Sequence, residues 1–368
     1  MAEVNEYLTI LEQAWQDHLK PKPDNAPTVI STFAGCGGSS LGYSMAGFRE
    51  LLAIEWDDNA VATFELNFPD VPVYHGDIAK ISVEQVLEMT GLQPGELDVF
   101  DGSPPCQGFS TAGKRVMDDP RNQLFREYVR ILRGLKPKVF VIENVSGMVK
   151  GVMKLVFVEI LKELKASGYM VSARLLNAMY FNVPQSRQRM IFIGVREDLG
   201  IEPSHPKAES EPIAIRDVVQ GCAATRSQRI NPWIDSNKPA ATICKTSAGY
   251  EVMNDLPIRT DTRSNKWCDE TLPGKSHPRH FSILRLDGNK PSATIPKSVK
   301  PNGSCQLLHP TEKRILSISE LKRIGSYPDN FQFIGKFEKQ WERIGNSVPP
   351  LFMRSIARHI KQNILEVA

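Results

Sequence analysis

Short apolar segments alternate with amphipathic segments from residue 28 to residue 196, and this alternation constrains the fold more than any other feature of the chain. The apolar segments predict strands, at 28–33, 50–54, 71–75, 97–101, 139–143, 170–177 and 189–196. The segments between them predict helices, at 39–47, 58–67, 82–89, 122–135 and 152–167. Strands and helices that alternate in this way build a doubly wound, mostly parallel sheet, which binds ligands beyond the carboxyl ends of its strands. We therefore predict an α/β fold.

Two further regions flank the alternation. Apolar residues at helical spacing predict an amphipathic helix at 3–19, which either packs on the main domain or binds a partner. After residue 196 the sequence is rich in Pro, Ser, Asn and Gly, which predicts a smaller second domain that is mostly β or irregular. Helical patterns resume at 317–325 and 350–365. The predicted organisation is an N-terminal extension at 1–24, an α/β domain at 25–195, an inserted domain at 196–335 and a segment at 336–368 that returns to the α/β domain.

The charges of the 368 residues are unevenly distributed. The chain has 45 Lys and Arg residues against 42 Asp and Glu residues, a net charge of +3. Residues 222–310 contain 13 basic and 7 acidic residues, a local charge of +6, so the rest of the chain sums to −3. This asymmetry favours a polyanionic partner for the basic segment, and a solvated basic face is the alternative.

Composition narrows the class of protein further. Apolar residues make up 41% and charged residues 24% of the chain, as in globular proteins. The apolar runs are far shorter than the ~20 residues that a membrane-spanning helix needs, and the polar N-terminus does not resemble a signal peptide. The six cysteines lie far apart with no CxxC pair, which argues against a disulfide framework and a zinc ribbon. We expect a cytoplasmic protein with reduced thiols, no membrane association and no metal site.

The ends of the first three predicted strands carry the features of an adenosine site. The turn at 33–38, Phe-Ala-Gly-Cys-Gly-Gly, joins a strand to a helix, so the backbone can approach a ligand closely. Glu55 ends the second strand and can accept both ribose hydroxyls, and the neighbouring Trp56 can stack on a purine. Asp77 and Ile78 follow the third strand. Because the turn lacks the GxGxxG pattern of a pyrophosphate clamp, S-adenosylmethionine fits these residues better than a nicotinamide dinucleotide.

A cysteine loop follows the fourth predicted strand at the same edge of the sheet. In Gly102-Ser-Pro-Pro-Cys106-Gln-Gly-Phe-Ser110 the two prolines hold the cysteine on a rigid loop, where a thiolate would be a strong nucleophile. Glu143 ends the next strand, so its carboxylate is a candidate acid or hydrogen-bond partner for the same reaction. An ordinary carboxylate at a strand end is the alternative for Glu143.

Five motifs in this order resemble those of the bacterial-type DNA (cytosine-5) methyltransferases. They are the glycine turn at 33–38, the Pro-Cys-Gln loop at 105–107, Glu-Asn-Val at 143–145, Gln-Ser-Arg-Gln-Arg at 185–189 and Gly-Asn-Ser-Val-Pro-Pro at 345–350. The segment from Arg314 to Pro328, with Glu320, resembles the family motif that braces the recognition domain. Ser347 stands where alanine is common in the family. The matches extend over nearly the whole chain, so the resemblance implies a Rossmann-like methyltransferase sheet with a target-recognition domain.

The resemblance implies a role for each matching residue. Cys106 would be the nucleophile, Glu143 would bind the N3 and amino edge of cytosine, and Arg187 and Arg189 would contact the base O2 or its phosphate. The implied S-adenosylmethionine site comprises Phe33, Ala34, Gly35, Cys36, Gly37, Gly38, Glu55, Trp56, Asp77, Ile78, Gly102, Pro105, Leu124, Asn346 and Ser347. The basic segment falls where the family has its target-recognition region, which reads duplex DNA.

The chemistry explains why these residue types occur together. A thiolate that adds to cytosine C6 makes C5 nucleophilic enough to accept a methyl group, and C6 is accessible only after the base is flipped out of the duplex. Residues 107–121 are suited to a loop that closes over DNA. We expect a monomeric enzyme that acts on a specific duplex sequence, with a cognate restriction endonuclease as a possible partner.

Two alternative functions and one alternative metal site were weighed against particular residues. A tRNA cytosine-5 methyltransferase on the same scaffold would have a smaller recognition region than the segment between the 185–189 and 314–328 motifs. A catalytically idle DNA-binding relative would not be expected to retain Cys106, Glu143, Arg187 and Arg189 together. A zinc site at Cys268, His277 and His280 would lack a fourth close ligand.

Overall fold

A computed structural model describes residues 6–105, 123–149, 153–219, 243–246, 249–252, 262–299 and 306–368. The predicted nucleophile Cys106 and the predicted closing loop at 107–121 therefore lie outside the described residues. Within the described ranges, the helices are all too short or too polar to cross a membrane.

Seven strands form one large sheet, as the alternation in the sequence predicts. Their order in the sheet is β3-β2-β1-β4-β5-β8-β6. The strands of this sheet, together with the short β7, are β1 Thr28–Thr32, β2 Arg49–Glu55, β3 Val73–His75, β4 Val99–Gly102, β5 Val139–Val145, β6 Tyr169–Asn177, β7 Gln185–Ser186 and β8 Gln188–Arg196. The strands β1 to β5 pair with one another in parallel, which confirms the doubly wound α/β class.

One strand departs from the parallel arrangement. Strand β8 is antiparallel to both β5 and β6, between which it lies. The reason is the connection at 178–187, which contains one 3₁₀ turn and no helix long enough for a crossover. A parallel neighbour would need a crossover of a dozen or more residues, whereas a short connection returns the chain in the opposite direction.

Helices alternate with these strands along the chain, at positions close to those predicted. The first six helices are α1 Glu6–Leu19, α2 Gly38–Met45, α3 Asp58–Asn67, α4 Val83–Thr90, α5 Gln123–Leu135 and α6 Met153–Lys165. Side-chain caps set two of the helix starts. The Asp57 carboxylate accepts two backbone N–H groups at the start of α3, and Ser82 and Gln85 form a reciprocal capping box at the start of α4.

The chain divides into two compact units. The large-sheet unit consists of Gln16–Ala178, Gln188–Ala208 and Phe352–Ala368. Its core is built from apolar side chains of the sheet and of the helices, including Phe100, Tyr128, Phe140 and Phe192, none of which is accessible to solvent. The small-sheet unit consists of Met1–Trp15, Met179–Arg187 and Glu209–Leu351. The predicted domain limits at 24, 195 and 335 stay predictions.

The small-sheet unit contains short strands and more helix than the sequence predicts. Besides β7, its described strands are β9 Ile243–Thr246, β10 Gly249–Val252, β11 Ile283–Arg285, β12 Ser292–Ala293 and β13 Gln306–Leu308. The other α-helices that the structure describes are α7 Arg216–Val219, α8 Thr262–Glu270, α9 Ile318–Ile324 and α10 Phe337–Asn346 in this unit, and α11 Pro350–Ile360, most of which belongs to the large-sheet unit. Helices α7, α8 and α10 were not predicted. Helix α8 has few apolar residues, so its sequence lacks a long apolar stripe at helical spacing.

A buried ion pair supports the small-sheet unit at α9. Arg314 donates through Nη1 and Nη2 to the two oxygens of Glu320, at 2.8 and 2.7 Å. Both side chains are almost completely buried. Glu320 also accepts the backbone N–H of Ser317, which caps α9. The pair therefore joins the strand-like segment at 314–316 to the first turn of the helix.

We expect Glu320→Ala to destabilise the protein strongly. Removal of Glu320 leaves the buried Arg314 guanidinium with Glu312 alone, whose side chain is half-exposed, and the loss of one partner of a buried pair costs up to about 3–5 kcal/mol. The free energy of unfolding, measured by urea denaturation, should fall by that amount. Lys339→Ala is the matched control because Lys339 forms an exposed ion pair with Glu342, and it should change stability by less than about 0.5 kcal/mol. An equal effect of the two substitutions would contradict the interpretation.

Candidate functional site

The glycine turn between β1 and α2 has a backbone that few residues other than glycine adopt. Phe33, Gly35 and Gly37 have positive φ angles of 55°, 57° and 91°. Gly37 caps the N-terminus of α2, and a Cβ atom there would lie 2.4 Å from the Phe68 ring. The Gly37 N–H donates to the carbonyl of Ala34, which closes the turn. The turn therefore presents backbone rather than side chains at the carboxyl end of β1.

Glu55 holds this turn against the end of β2. Its Oε2 accepts the backbone N–H of Gly35 at 2.8 Å, and its Oε1 accepts the N–H groups of Trp56 and Asp57 at 2.9 Å each. The side chain is 8% exposed. A carboxylate has about four lone-pair positions, so these bonds leave acceptor capacity for a ligand. Glu55 thus positions the glycine turn in addition to any contact with a ribose.

The other predicted cofactor residues of the large-sheet unit lie at strand ends, with differing exposure. Trp56 is 76% exposed, which leaves its indole face available for stacking. Asp77 is exposed, and its carboxylate accepts the N–H of Ala79. Ile78 is buried in the core, and its carbonyl accepts from Arg130. Leu124, near the start of α5, packs against the same core.

The start of the Pro-Pro loop, residues 102–105, is held in place by contacts with neighbouring strands and with α5. Gly102 has no room for a side chain, because a Cβ atom would lie 2.4 Å from Thr32 Oγ1 and 2.6 Å from the Tyr128 ring. Asn144 donates from its side-chain amide to the carbonyl of Pro104 at 3.1 Å. Pro105 is exposed. The chain that leads to position 106 is therefore tied to the ends of β1 and β5.

Two of the predicted catalytic residues meet in an ion pair. Glu143 in β5 and Arg189 in β8 are joined by Oε1 and Nε at 2.6 Å, and both side chains are mostly buried. The antiparallel pairing of β5 with β8 makes this contact, because Val145 lies opposite Arg189. Charge-assisted bonds of this kind are short and strong. Arg189 therefore orients the Glu143 carboxylate.

The remaining predicted residues lie in the small-sheet unit. Arg187 is buried and donates from Nη1 to the carbonyl of Gly345 at 3.1 Å. A Cβ atom at Gly345 would lie 2.4 Å from the Pro296 carbonyl oxygen, so glycine is required there. Asn346 ends α10, and the Ser347 hydroxyl donates to the carbonyl of Arg343. In this unit Arg187 thus holds the Gly-Asn-Ser turn.

A buried polar group that no sequence motif indicated lies at Asp101, the residue before Gly102. Asp101 in β4 accepts a hydrogen bond from the Tyr43 hydroxyl of α2 at 3.2 Å, and the Ser40 hydroxyl donates to the nearby Glu50 carboxyl at 2.9 Å. Burial raises the pKa of Asp101 to about 8 and the pKa of Glu50 to about 7. The sequence feature that could have indicated this buried carboxyl is the position of Asp101 in an otherwise apolar strand, directly after Val99 and Phe100.

The described residues contain no group of three or more His, Cys, Asp or Glu side chains that could hold a metal ion. His277, one of the weighed zinc ligands, has both ring nitrogens within hydrogen-bond distance of protein groups.

The sheet order, the antiparallel β8 and the glycine turn held by an acidic strand end define a Rossmann-like methyltransferase fold. The family model for C-5 cytosine-specific DNA methylases matches residues 27–362, and the chain belongs to this family. It is therefore an enzyme, a DNA (cytosine-5) methyltransferase, and the resemblance found in the sequence motifs is confirmed.

Relatives of known name cover nearly all of the chain. It is 33% identical over 345 residues to the Type II methyltransferase M1.HphI of Haemophilus parahaemolyticus, with 90% of this chain and 86% of the relative covered. It is 32% identical over 353 residues to M.NgoPII of Neisseria gonorrhoeae, with 94% and 98% covered. A prophage-encoded E. coli protein described as a DNA modification methyltransferase has a similar fold, with a TM-score of 0.73, 23% identity and coverage of 92% and 100%.

We expect Glu55→Gln to weaken binding of S-adenosylhomocysteine about tenfold to a hundredfold. A neutral amide accepts at one oxygen only, so an N–H group of Gly35 or of Trp56 and Asp57 loses its charged acceptor, and such bonds contribute about 1.5–3 kcal/mol. Isothermal titration calorimetry measures the dissociation constant. Glu65→Gln, at an exposed position of α3, is the control. An unchanged dissociation constant for Glu55→Gln would exclude the carboxylate from the site.

We expect Asp101→Asn to reduce the pH dependence of stability. Because burial favours the neutral carboxyl in the fold, the free energy of unfolding falls as pH rises from the ordinary aspartate value of ~4 to about 8. The asparagine cannot ionise, so the variant should lose a slope of up to about 1.4 kcal/mol per pH unit in that window. Urea denaturation at several pH values measures it, with the exposed Asp70→Asn as control. Parallel curves for wild type and Asp101→Asn would refute this assignment.

Proposed function

We propose that this enzyme transfers the methyl group of S-adenosylmethionine to C5 of a flipped-out cytosine in a specific duplex DNA sequence, through a covalent bond between Cys106 and C6. The observation that carries the proposal is the convergence at one sheet edge of the Glu143–Arg189 pair and of the Pro-Pro loop that leads to Cys106, joined by the Asn144 bond to Pro104. The family of the chain supports the same reaction.

The proposed steps balance as an addition followed by an elimination. The Cys106 thiolate adds to C6, and the electron pair of the C5–C6 bond becomes available at C5. A bond between C5 and the methyl carbon would then form as the bond from that carbon to the sulfonium sulfur breaks, with the electron pair of the broken bond left on sulfur. A base removes the C5 proton, the bond from sulfur to C6 breaks, and the aromatic ring and the thiolate are restored. The products are 5-methylcytosine and S-adenosylhomocysteine.

Glu143 and Arg189 have separate roles in this proposal. Arg189 occupies Oε1 of Glu143, so Oε2 is the oxygen that can accept from the cytosine amino group and from a proton held at N3. A proton at N3 draws electron density from C6, which favours the addition of the thiolate. We assign Arg189 to the orientation of Glu143, and Arg187 to the turn at 345–347. A direct contact of either arginine with the base O2 or its phosphate stays a prediction.

The cofactor residues fit S-adenosylmethionine by their chemistry. The turn at 33–38 offers backbone groups and little side-chain bulk, Glu55 keeps acceptor capacity for hydroxyl groups, and Trp56 has an exposed indole for a purine. When bound, this cofactor supplies an electrophilic methyl group on a sulfonium. Asp77, Gly102, Pro105, Leu124, Asn346 and Ser347 complete the proposed site.

The partner that we propose is duplex DNA. A base must leave the stack before a thiolate can reach C6, at a cost of a few kcal/mol. The basic segment at 222–310 would neutralise phosphates, and the names of the relatives suggest a Type II restriction-modification context with a cognate endonuclease. We propose a monomeric enzyme, with residues 196–335 as its target-recognition domain.

We expect Cys106→Ala to abolish methyl transfer from labelled S-adenosylmethionine to duplex DNA, because no other group in the proposed site forms the bond to C6. Cys305→Ser is the control, since no proposed role involves that thiol, and it should keep the wild-type rate. Methyl transfer by Cys106→Ala at the wild-type rate would refute the covalent mechanism. Labelling of a tRNA pool but not of duplex DNA by the wild-type enzyme would instead assign the substrate to tRNA.

A further inference from the structure

A short hairpin in the small-sheet unit has a tip that is fixed in shape although almost all of it is exposed. The His277 N–H donates to the carbonyl of Ile283 at 2.8 Å, and the Arg285 N–H donates to the carbonyl of Lys275 at 3.1 Å. Ile283 is completely buried and packs in a small core with Trp267 on α8. The two arms, at 274–277 and 283–285, therefore form a rigid base for the tip at 278–282.

A single buried histidine holds the tip from inside. Between Leu272 and Ser282, a stretch that the structure describes in full, His277 alone is buried, at 1% exposure. Its Nδ1 accepts the backbone N–H groups of Arg279 and His280 at 3.1 and 3.2 Å. Because Nδ1 is an acceptor, the ring proton lies on Nε2 and is donated to Glu270 Oε2 at 2.9 Å. The histidine thus fixes the backbone of the tip relative to α8.

Two side chains project from this fixed tip. The Phe281 ring is 80% exposed. The side chain of Arg279 is 72% exposed, and one of its nitrogens, Nη2, donates to Glu270 Oε2 at 3.0 Å. Its Nε and Nη1 have no hydrogen-bond partner among the described residues. Glu270 therefore limits the directions that the guanidinium can take and leaves most of its donors available.

An exposed arginine and an exposed aromatic ring on a rigid loop are typical of a binding surface. The charge favours DNA over protein as the partner, because the hairpin lies in the segment of net charge +6 and its tip carries no acidic side chain. A guanidinium held by its own carboxylate is pre-oriented, so less side-chain entropy is lost when it binds. Arginine forms paired hydrogen bonds with guanine O6 and N7 in the major groove, and an apolar side chain can contact a thymine methyl group.

We propose that the 274–285 hairpin is a base-reading element of this enzyme and that Arg279 contacts a guanine of the target sequence, with His277 as the residue that positions the tip. The inference rests on the proposed function, because it assigns specificity within a DNA methyltransferase. It names a determinant that the sequence motifs do not indicate.

The test compares site preference rather than activity alone. Bisulfite sequencing of DNA from a methylation-free host that expresses the wild-type chain defines the target sequence. Methylation rates are then measured on duplexes in which each base pair of that sequence is varied in turn. For Arg279→Ala we expect a rate about tenfold to a hundredfold lower on the target sequence and a relaxed preference at one G·C pair, with little change on duplexes already altered at that pair.

Two further variants separate reading from folding. Lys290→Ala removes an exposed cation of the same unit, which is paired with Asp287, and should keep the wild-type preference. His277→Asn offers an amide oxygen close to the position of Nδ1, so it should retain more of the preference than His277→Ala, which offers no acceptor. Equal behaviour of the asparagine and alanine variants would refute the positioning role of His277.

The outcomes distinguish this inference from the proposed function. If the wild-type enzyme methylates no duplex DNA, the proposed function fails. If it methylates DNA and Arg279→Ala keeps the same preference at every position, the reading role is wrong. A uniform loss on all duplexes, with a salt dependence of DNA binding that is weaker by about one counterion, would assign Arg279 to a phosphate and would also overturn the proposal.

Discussion

The pairing of β4 with β5 is the constraint on which the proposed active site depends. The two strands are parallel neighbours in which Gly102 lies opposite Ile142, so the loop that follows β4 and the residues that end β5 start from the same place. Because these segments are close, the Asn144 side chain donates a hydrogen bond to the Pro104 carbonyl. Glu143, one residue earlier in β5, lies at the same carboxyl edge of the sheet. A shift of register between β4 and β5 would move the loop that leads to Cys106 away from Glu143.

The sequence predicted the features that follow from periodicity and from strand ends. The α/β class, the positions of helices α1 to α6 and the glycine turn required only local pattern, since small residues between a strand and a helix let a ligand approach the backbone closely. The direction of β8 did not follow from pattern, because strand periodicity is the same in both directions. The ion pair of Glu143 with Arg189 depends on that direction, so it was missed as well.

The small-sheet unit was harder to predict, for a different physical reason. Its packing relies on buried polar groups that satisfy one another, such as Arg314 with Glu320 six residues later, and on backbone donors that bond to a buried imidazole, as at His277. A histidine between exposed residues reads as a solvent-facing side chain or a weak metal ligand when only the sequence is known. Its actual role, to hold a turn from within, is defined by its two backbone donors, which no sequence pattern marks.

The neutral carboxyl of Asp101 has a consequence for the electrostatics of the loop above it. Asp101 lies five residues before Cys106 in the chain, beneath Gly102, whose contacts with Thr32 and Tyr128 admit no side chain. A negative charge at Asp101 would oppose formation of the proposed thiolate five residues later in the chain, because like charges repel. Because burial raises the pKa of Asp101 to about 8, its carboxyl is mostly neutral at pH 7 and keeps that repulsion small. The same group would place an upper limit on the alkaline range in which the thiolate forms without opposition.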